Sequence, residues 1–429
     1  MSTRSGSDQP TTVAEPPRHW LQRIASALTH RDYRLLWFAA LGSTIGTWMQ
    51  KFAQSWLVSD LTNSSAFYLA LDDFLSQLPI VLFMMIGGVM ADRHDRRRLL
   101  TGSQYVQAMA AFLLAALVFS DYVTIWHVLA LSFISGCGQA FGGPAYQSLI
   151  PSLVPKRDLP NAIALNSTQF NLSRLLGPMS GSLIVLSLGT AVCFFLNSAS
   201  FFIVVLVLTM IHPVPRPTSG PRRTILTELG GGLTYMRNDR LMLTLTVLVF
   251  VSTFLAMPIS TFLPIFAREV LTTNDPAAAI TQLSILMALQ ALGAIVGALL
   301  IGSLGRFRHM GRAVLSIQFA LGLLLAAFAL SSTVWLSYLV LFVAGVASMS
   351  LFSISFSIVQ LAVPEELRGR VVSIYMVALR GGWPLGALVA GTLATAYSAP
   401  TVLVWNGVLL SVVTVGVVLA GRAKSLRTI

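Results

Sequence analysis

The chain has 429 residues, 55% hydrophobic and only 10% charged, with a formal net charge of +12. Soluble domains carry about 25% charged residues, so the composition excludes a water-soluble globular fold and leaves a surface that faces lipid. An excess of Lys and Arg can mark a nucleic-acid partner, but the positions of the charges assign them to membrane orientation, and no nucleic acid is expected.

Residues 1–34 are polar and Arg-bearing, and lack the short basic segment followed at once by an apolar core that a secretory signal requires. They read as an N-terminal tail with an amphipathic turn around Trp20–Leu28, ahead of a retained first span. Apolar runs then predict twelve spans, at about 35–58, 65–90, 98–119, 124–147, 161–187, 190–211, 240–266, 278–303, 311–330, 334–360, 370–395 and 399–421. Only helices or closed barrels satisfy the backbone in lipid, and these runs are too long for barrel strands. The fold class is therefore an all-α membrane protein. A link at 212–239 divides it into halves at 35–211 and 240–421, and a short tail follows at 422–429.

Orientation follows from the loops. The turn between the second and third runs holds Asp92, Arg93, Asp95, Arg96, Arg97 and Arg98, and a turn this basic marks the cytoplasmic side. With both termini cytoplasmic, Arg268 alone falls outside, Lys51, Arg174 and Arg380 lie within spans, and every other Lys and Arg is inside. The basic loops also face anionic lipid headgroups. Cys137 and Cys193 both lie in apolar runs and the histidines are scattered, so neither a disulfide framework nor a metal site is expected.

An internal repeat supports the division into halves. Arg174 stands four residues before Pro178, with Gly181 following; Arg380 stands four before Pro384, with Gly386 following. Val154-Pro155 and Val363-Pro364 precede the two units, and Gly88 and Gly302 each sit just before a basic loop. Two pseudo-symmetric six-helix halves are the signature of a rocking transporter.

These residues resemble the major facilitator superfamily. Gly88-x-x-x-Asp92-Arg93-x-x-Arg96-Arg97 is similar to its loop motif between the second and third helices, with Asp95 where a glycine is usual. Ser173-x-x-x-Gly177-Pro178-x-x-Gly181-Ser182 resembles the antiporter motif of the fifth helix, with serines at two glycine positions. Tyr33-Arg34-Leu35-Leu36-Trp37, Gly46-Thr47-Trp48-Met49-Gln50-Lys51 and Pro364-Glu365-Glu366-Leu367-Arg368-Gly369-Arg370 resemble the branch with the enterobactin exporter and macrolide efflux proteins. The resemblance implies alternating access, a monomer, and a loop motif (Gly88, Asp92, Arg93, Arg96, Arg97) that latches the halves on the cytoplasmic side. A solvated loop that only sets topology is the other reading of those arginines.

Charges inside spans cost roughly 2.5–3.5 kcal/mol each at the centre, so they normally face a cavity or a partner. Arg174 and Arg380 lie roughly 20 and 15 Å into their spans at 1.5 Å per residue. Cavity lining is one reading of both, and a structural hydrogen bond near the helix-disturbing Pro178 and Pro384, with Gly177 and Gly181, is the other. Lys51 and Asp73 are placed symmetrically about Thr62, which predicts a Lys51–Asp73 pair, or Lys51–Asp72 if the helices are rotated. Asp72 and Asp73 are the only carboxylates within the predicted spans, and either is a candidate proton site; a wet outer mouth is the bland alternative. Polar residues at helical spacing, with Thr47, Lys51 and Gln54 in the first span, Gln169 in the fifth and Ser353 in the tenth, are candidate cavity lining or helix-packing groups.

No phosphate loop occurs, so an ion gradient, not ATP, would supply the energy. The expectation is a secondary transporter in a bacterial inner membrane, exporting an amphiphilic siderophore- or drug-like molecule against protons. Import or uniport of a small organic anion is an alternative, as is a non-transporting scaffold or sensor. No clustered nucleophile, base or metal set suggests an enzyme, and no cofactor is expected.

Overall fold

A computed structural model describes residues 26–212, 233–272, 275–365 and 367–420; the side chain of Asp92 also lies outside the described residues. So do most of the N-terminal tail (1–25), most of the 212–239 link and the 422–429 tail. Among the described residues there is no strand.

The first half comprises α1 (Arg31–Leu61), α2 (Ala66–Arg93), α3 (Arg96–Phe119), α4 (Ile125–Leu149), α5 (Leu159–Leu188) and α6 (Thr190–Met210). The second comprises α7 (Arg240–Ala256), α8 (Pro258–Ile265), α9 (Pro276–Leu304), α10 (Met310–Leu330), α11 (Val334–Ala362), α12 (Arg368–Tyr397) and α13 (Ala399–Leu419). Among the described residues, ten spans are long and apolar enough to cross a membrane by that property alone. α1 and α5 complete the twelve; they match the others in length but carry most of the polar stripe residues.

The helix ends have local causes. Asp95 accepts hydrogen bonds from the backbone N–H groups of Arg97 and Arg98 and so caps α3. Asp239 and Asp275 do the same for α7 and α9. α5 passes into α6 through Gly189 alone, at φ +86°, a backbone that glycine adopts without strain. The matching joint between α12 and α13 is Ser398, at φ 73°. The seventh span departs from the single run expected at 240–266. It breaks after Ala256 because Pro258 has no N–H to continue the helix, and α8 restarts there before a π-turn over Phe266–Val270.

The halves repeat one packing scheme. α1 lies on α5 as α7 lies on α12, α2 on α4 as α9 on α11, and α3 on α6 as α10 on α13. They meet crosswise, α2 against α12 and α5 against α9. Large apolar side chains such as Leu183, Leu206, Leu339 and Val412 are exposed on the periphery, as a lipid-facing surface requires. The bundle has two ends: the basic end, carrying the Arg93–Arg98 turn, and the far end, carrying the turn after Leu61.

Candidate functional site

The glycines of α5 and α12 set how closely the helices approach. A Cβ on Gly177 would lie 2.3 Å from Trp48 Cβ, and one on Gly181 2.8 Å from Phe52 Cδ1, so α1 can seat on α5 only because these positions are bare. In the second half, a Cβ on Gly386 would lie 1.9 Å from the Phe254 carbonyl oxygen of α7. α5 and α12 both run unbroken through Pro178 and Pro384. The Pro178 carbonyl accepts a hydrogen bond from Ser284 of α9 at 3.1 Å, which ties the halves together.

Lys51 of α1 pairs with Asp73 of α2 at 3.2 Å, and the alternative partner Asp72 is engaged elsewhere. The second oxygen of Asp73 accepts a hydrogen bond from Thr261 of α8, at 2.5 Å across the halves. Lys51 Nζ also stands 4.8 Å from the ring centre of Trp383 on α12. Asp72 is buried and accepts from Gln54 at 2.8 and 2.9 Å and from Ser132 of α4 at 2.5 Å, all within the first half. The paired charges have donors for their remaining lone pairs, which a buried ion pair needs to offset desolvation. A small cavity touches Lys51, Asp72, Asp73, Ser260, Thr261 and Met287. Further toward the far end, Arg268 reaches Asp60 of the first half at 3.2 Å and lies over Trp56 at 5.5 Å.

The two span arginines are differently placed. Arg174 lies 5.7 Å from the ring centre of Trp48, which packs edge-on against Phe170. At 100° per residue it shares its face of α5 with Pro178 and Gly181, between α9 and α1. On that face Ile163 and Phe170, nearer the basic end, are exposed, whereas Gly177, Pro178 and Gly181 are buried. Arg380 repeats the arrangement: it shares its face of α12 with Gly391, which meets Ala66 and Ala70 of α2. Gly369, Ser373 and Arg380 are exposed, and Ala387 and Gly391 beyond them are buried. Both arginines therefore stand where a face open toward the basic end closes. Neither has a carboxylate or hydrogen-bond acceptor among the described residues.

The other expected residues divide. Thr47 is exposed, and Ser353 is half-buried in α11. Gln169 is buried, donates to Thr44 at 3.1 Å and accepts from Tyr146 at 3.5 Å, so it braces α5 against α1 and α4. At the basic end Arg93 is exposed and Gly88 has open space around it. Arg96 donates to the Ser148 carbonyl at 3.1 Å and Arg97 to that of Ile211 at 3.3 Å, which holds α3 to the ends of α4 and α6 within the first half. Trp383, Thr261, Ser132 and the Asp60–Arg268 pair were not foreseen. Trp383 lies inside the quoted Arg380–Gly386 repeat, but its partner is more than 300 positions away in the sequence. Among the described residues no group of His, Cys, Asp or Glu could hold a metal ion.

A family described as "Transmembrane secretion effector" matches residues 24–425. The chain belongs to this family of major facilitator transporters. It is 28% identical over 375 residues to the multidrug efflux pump Tap of Mycolicibacterium fortuitum, covering 84% of this chain and 89% of the pump. Macrolide efflux protein A of Streptococcus pyogenes is 24% identical, over 84% of this chain and 88% of that protein. The enterobactin exporter EntS of Escherichia coli O81 (strain ED1a) is 24% identical, over 87% and 88%. The fold is that of the nucleoside transporter NupG, with TM-score 0.71, 16% identity and coverage of 90% of this chain and 98% of that one. As a member of the superfamily, the chain is an integral membrane transporter of small molecules and not an enzyme.

Proposed function

We propose that this protein exports an amphiphilic, drug- or siderophore-like molecule across a bacterial inner membrane by alternating access, driven by protons. The observation that carries the reading is the asymmetry of the seam between the halves. Asp73–Thr261, Arg268–Asp60 and Ser284–Pro178 hold it shut from mid-depth to the far end, while the facing sides of α5 and α12 are exposed toward the basic end. The positive-inside rule puts the basic end, and with it both termini, in the cytoplasm. The exposed faces of α5 and α12 are then turned to the cytoplasm, where cargo would load. The relatives' names, a multidrug pump, a macrolide efflux protein and a siderophore exporter, agree in direction and in amphiphilic cargo.

Asp73 is the proton site in this reading, because it alone of the two span carboxylates touches both halves. Protonation removes the charge that holds Lys51 and weakens the acceptor for Thr261, which loosens the far-end seam. Asp72 keeps its bonds within one half. The Asp92 motif loop acts at the opposite side as the cytoplasmic latch once the seam rocks over, and Thr47, Gln54 and Ser353 serve the cavity wall. Reconstituted vesicles test coupling: Asp73→Asn is expected to lose proton-driven flux at least tenfold while retaining counterflow exchange. Undiminished gradient-driven flux in that variant would overturn the assignment.

A further inference from the structure

We propose that Arg174 and Arg380, at equivalent positions in the two halves, recognise an anionic group on the cargo. The proposal rests on the export reading above and adds the chemical class of the substrate: an aromatic or amphiphilic molecule bearing a carboxylate or phenolate.

The charge inventory of the spans carries it. Lys51 is matched by Asp73, and Asp72 is satisfied by Gln54 and Ser132. Arg174 and Arg380 remain, each a permanent cation with no anion among the described residues. Guanidinium cannot discharge itself by losing its proton at physiological pH, and an unmatched cation at this depth costs a few kcal/mol. That cost persists only where water or a ligand anion relieves it. Each arginine shares its helix face with a residue that touches the other half, Pro178 through Ser284 and Gly391 through Ala66 and Ala70, while the exposed apolar residues Leu385 and Val389 lie on a different face of α12. Both stand at the closed end of a face open toward the basic end. Their positions are equivalent, four residues before Pro178 and Pro384, so the repeat presents one guanidinium from each half. A guanidinium fork binds carboxylate oxygens in pairs, so each of these arginines suits an anionic group on the cargo. Trp48 and Phe170 beside Arg174, and Trp383 three residues from Arg380, supply flat apolar walls for the body of the molecule.

The test compares two dyes that share a flat xanthene body and differ in charge, carboxyfluorescein (anionic) and rhodamine 6G (cationic). Binding to the purified full chain is followed by fluorescence anisotropy, and transport is measured in proteoliposomes. Carboxyfluorescein is expected to bind at least tenfold more tightly than rhodamine 6G. Arg174→Gln and Arg380→Gln should each weaken its binding about tenfold or more, Arg174→Lys and Arg380→Lys less. Unfolding midpoints should stay close to the wild type, because neither side chain has an ion-pair partner to lose and Arg174 gives up only its contact with the Trp48 ring. Tighter binding of rhodamine 6G, binding of neither dye, or carboxyfluorescein affinity untouched in both Gln variants overturns the proposal. Efflux of rhodamine 6G with indifferent arginines would do so while leaving export intact. Binding of carboxyfluorescein without any transport would instead strike at the export reading.

Discussion

Asp72 and Asp73 are neighbours in the chain, yet the helix turns them to different partners. Successive positions differ by about 100°, so Asp72 faces α1 and α4 of its own half while Asp73 faces the seam. The sequence told that a pair with Lys51 existed but not which aspartate made it, because helix rotation is set by packing against α4 and α12, which no local spacing encodes. Asp158 is a second carboxylate with a defined task. It accepts from His30 at 2.9 Å, and that hydrogen bond holds its carboxyl below the ordinary carboxylate range. The bond fastens the short 3₁₀ turn Ser26–Thr29 to the start of α5. A carboxyl whose folded pKa is depressed stabilises the fold fully above its unfolded value, near 3.9, and the gain vanishes as pH falls through the lower folded value. Asp158→Asn is therefore expected to lower the thermal midpoint in detergent at pH 6, with the offset from the wild type shrinking only as pH falls below about 4. A constant offset down to pH 3 would remove this role.

At the scale of the element, the apolar runs located the helices closely: the expected 190–211 and 311–330 correspond to Thr190–Met210 and Met310–Leu330. That precision has a physical source, since lipid tolerates no unsatisfied backbone and every run must be helical over its whole length. The break after Ala256 was hidden because Pro258 and Pro264 sit in an unbroken apolar run, where composition gives no boundary. Gly177 and Gly181 read in sequence as part of a helix-kink motif with Pro178 and Pro384, and in the structure they and Gly386 provide contact surfaces. Gly386→Ala would drive a methyl into the Phe254 carbonyl, with backbone on both sides and no flexible tip to yield. Overpacking of this kind costs about 1–3 kcal/mol, so a clear drop in unfolding midpoint is expected. Gly88→Ala, in the loop motif, meets nothing within 4 Å and should leave the midpoint within error. Equal effects of the two substitutions would show that helix propensity, and not contact, decides.

For the whole molecule, the duplicated packing scheme makes the seam between α2 and α12 and between α5 and α9 the surface on which the halves can move. The sequence displayed the duplication through Arg174–Pro178 and Arg380–Pro384. It could not show which end of the seam was shut, because Thr261, Trp383 and Arg268 find their partners only after the halves dock. Single cysteines report this directly in a chain with Cys137→Ala and Cys193→Ala. Ile163→Cys and Ser373→Cys are expected to react with a membrane-impermeant maleimide from the basic end, and Ala387→Cys to resist it from either end. Reaction of all three from the far end would reverse the assigned opening.

The polarity of α1 has a consequence for how the chain is built into its membrane. α1 carries Lys51, which costs roughly 2.5–3.5 kcal/mol at mid-bilayer, and its principal supports are α5 and α6, made last in that half. α2, the helix synthesised next, touches it far less. Synthesis proceeds at about 5–20 residues per second, so the stretch from Leu61 to Leu188 keeps α1 waiting for roughly 6–25 s. During that interval α2 can supply Asp73 to Lys51 and Asp72 to Gln54, but the side of α1 that seats on α5 and α6 has no permanent neighbour until those helices arrive. The span that enters first is thus among the last to be sheltered, and its residence in the bilayer depends on the completion of the whole first half.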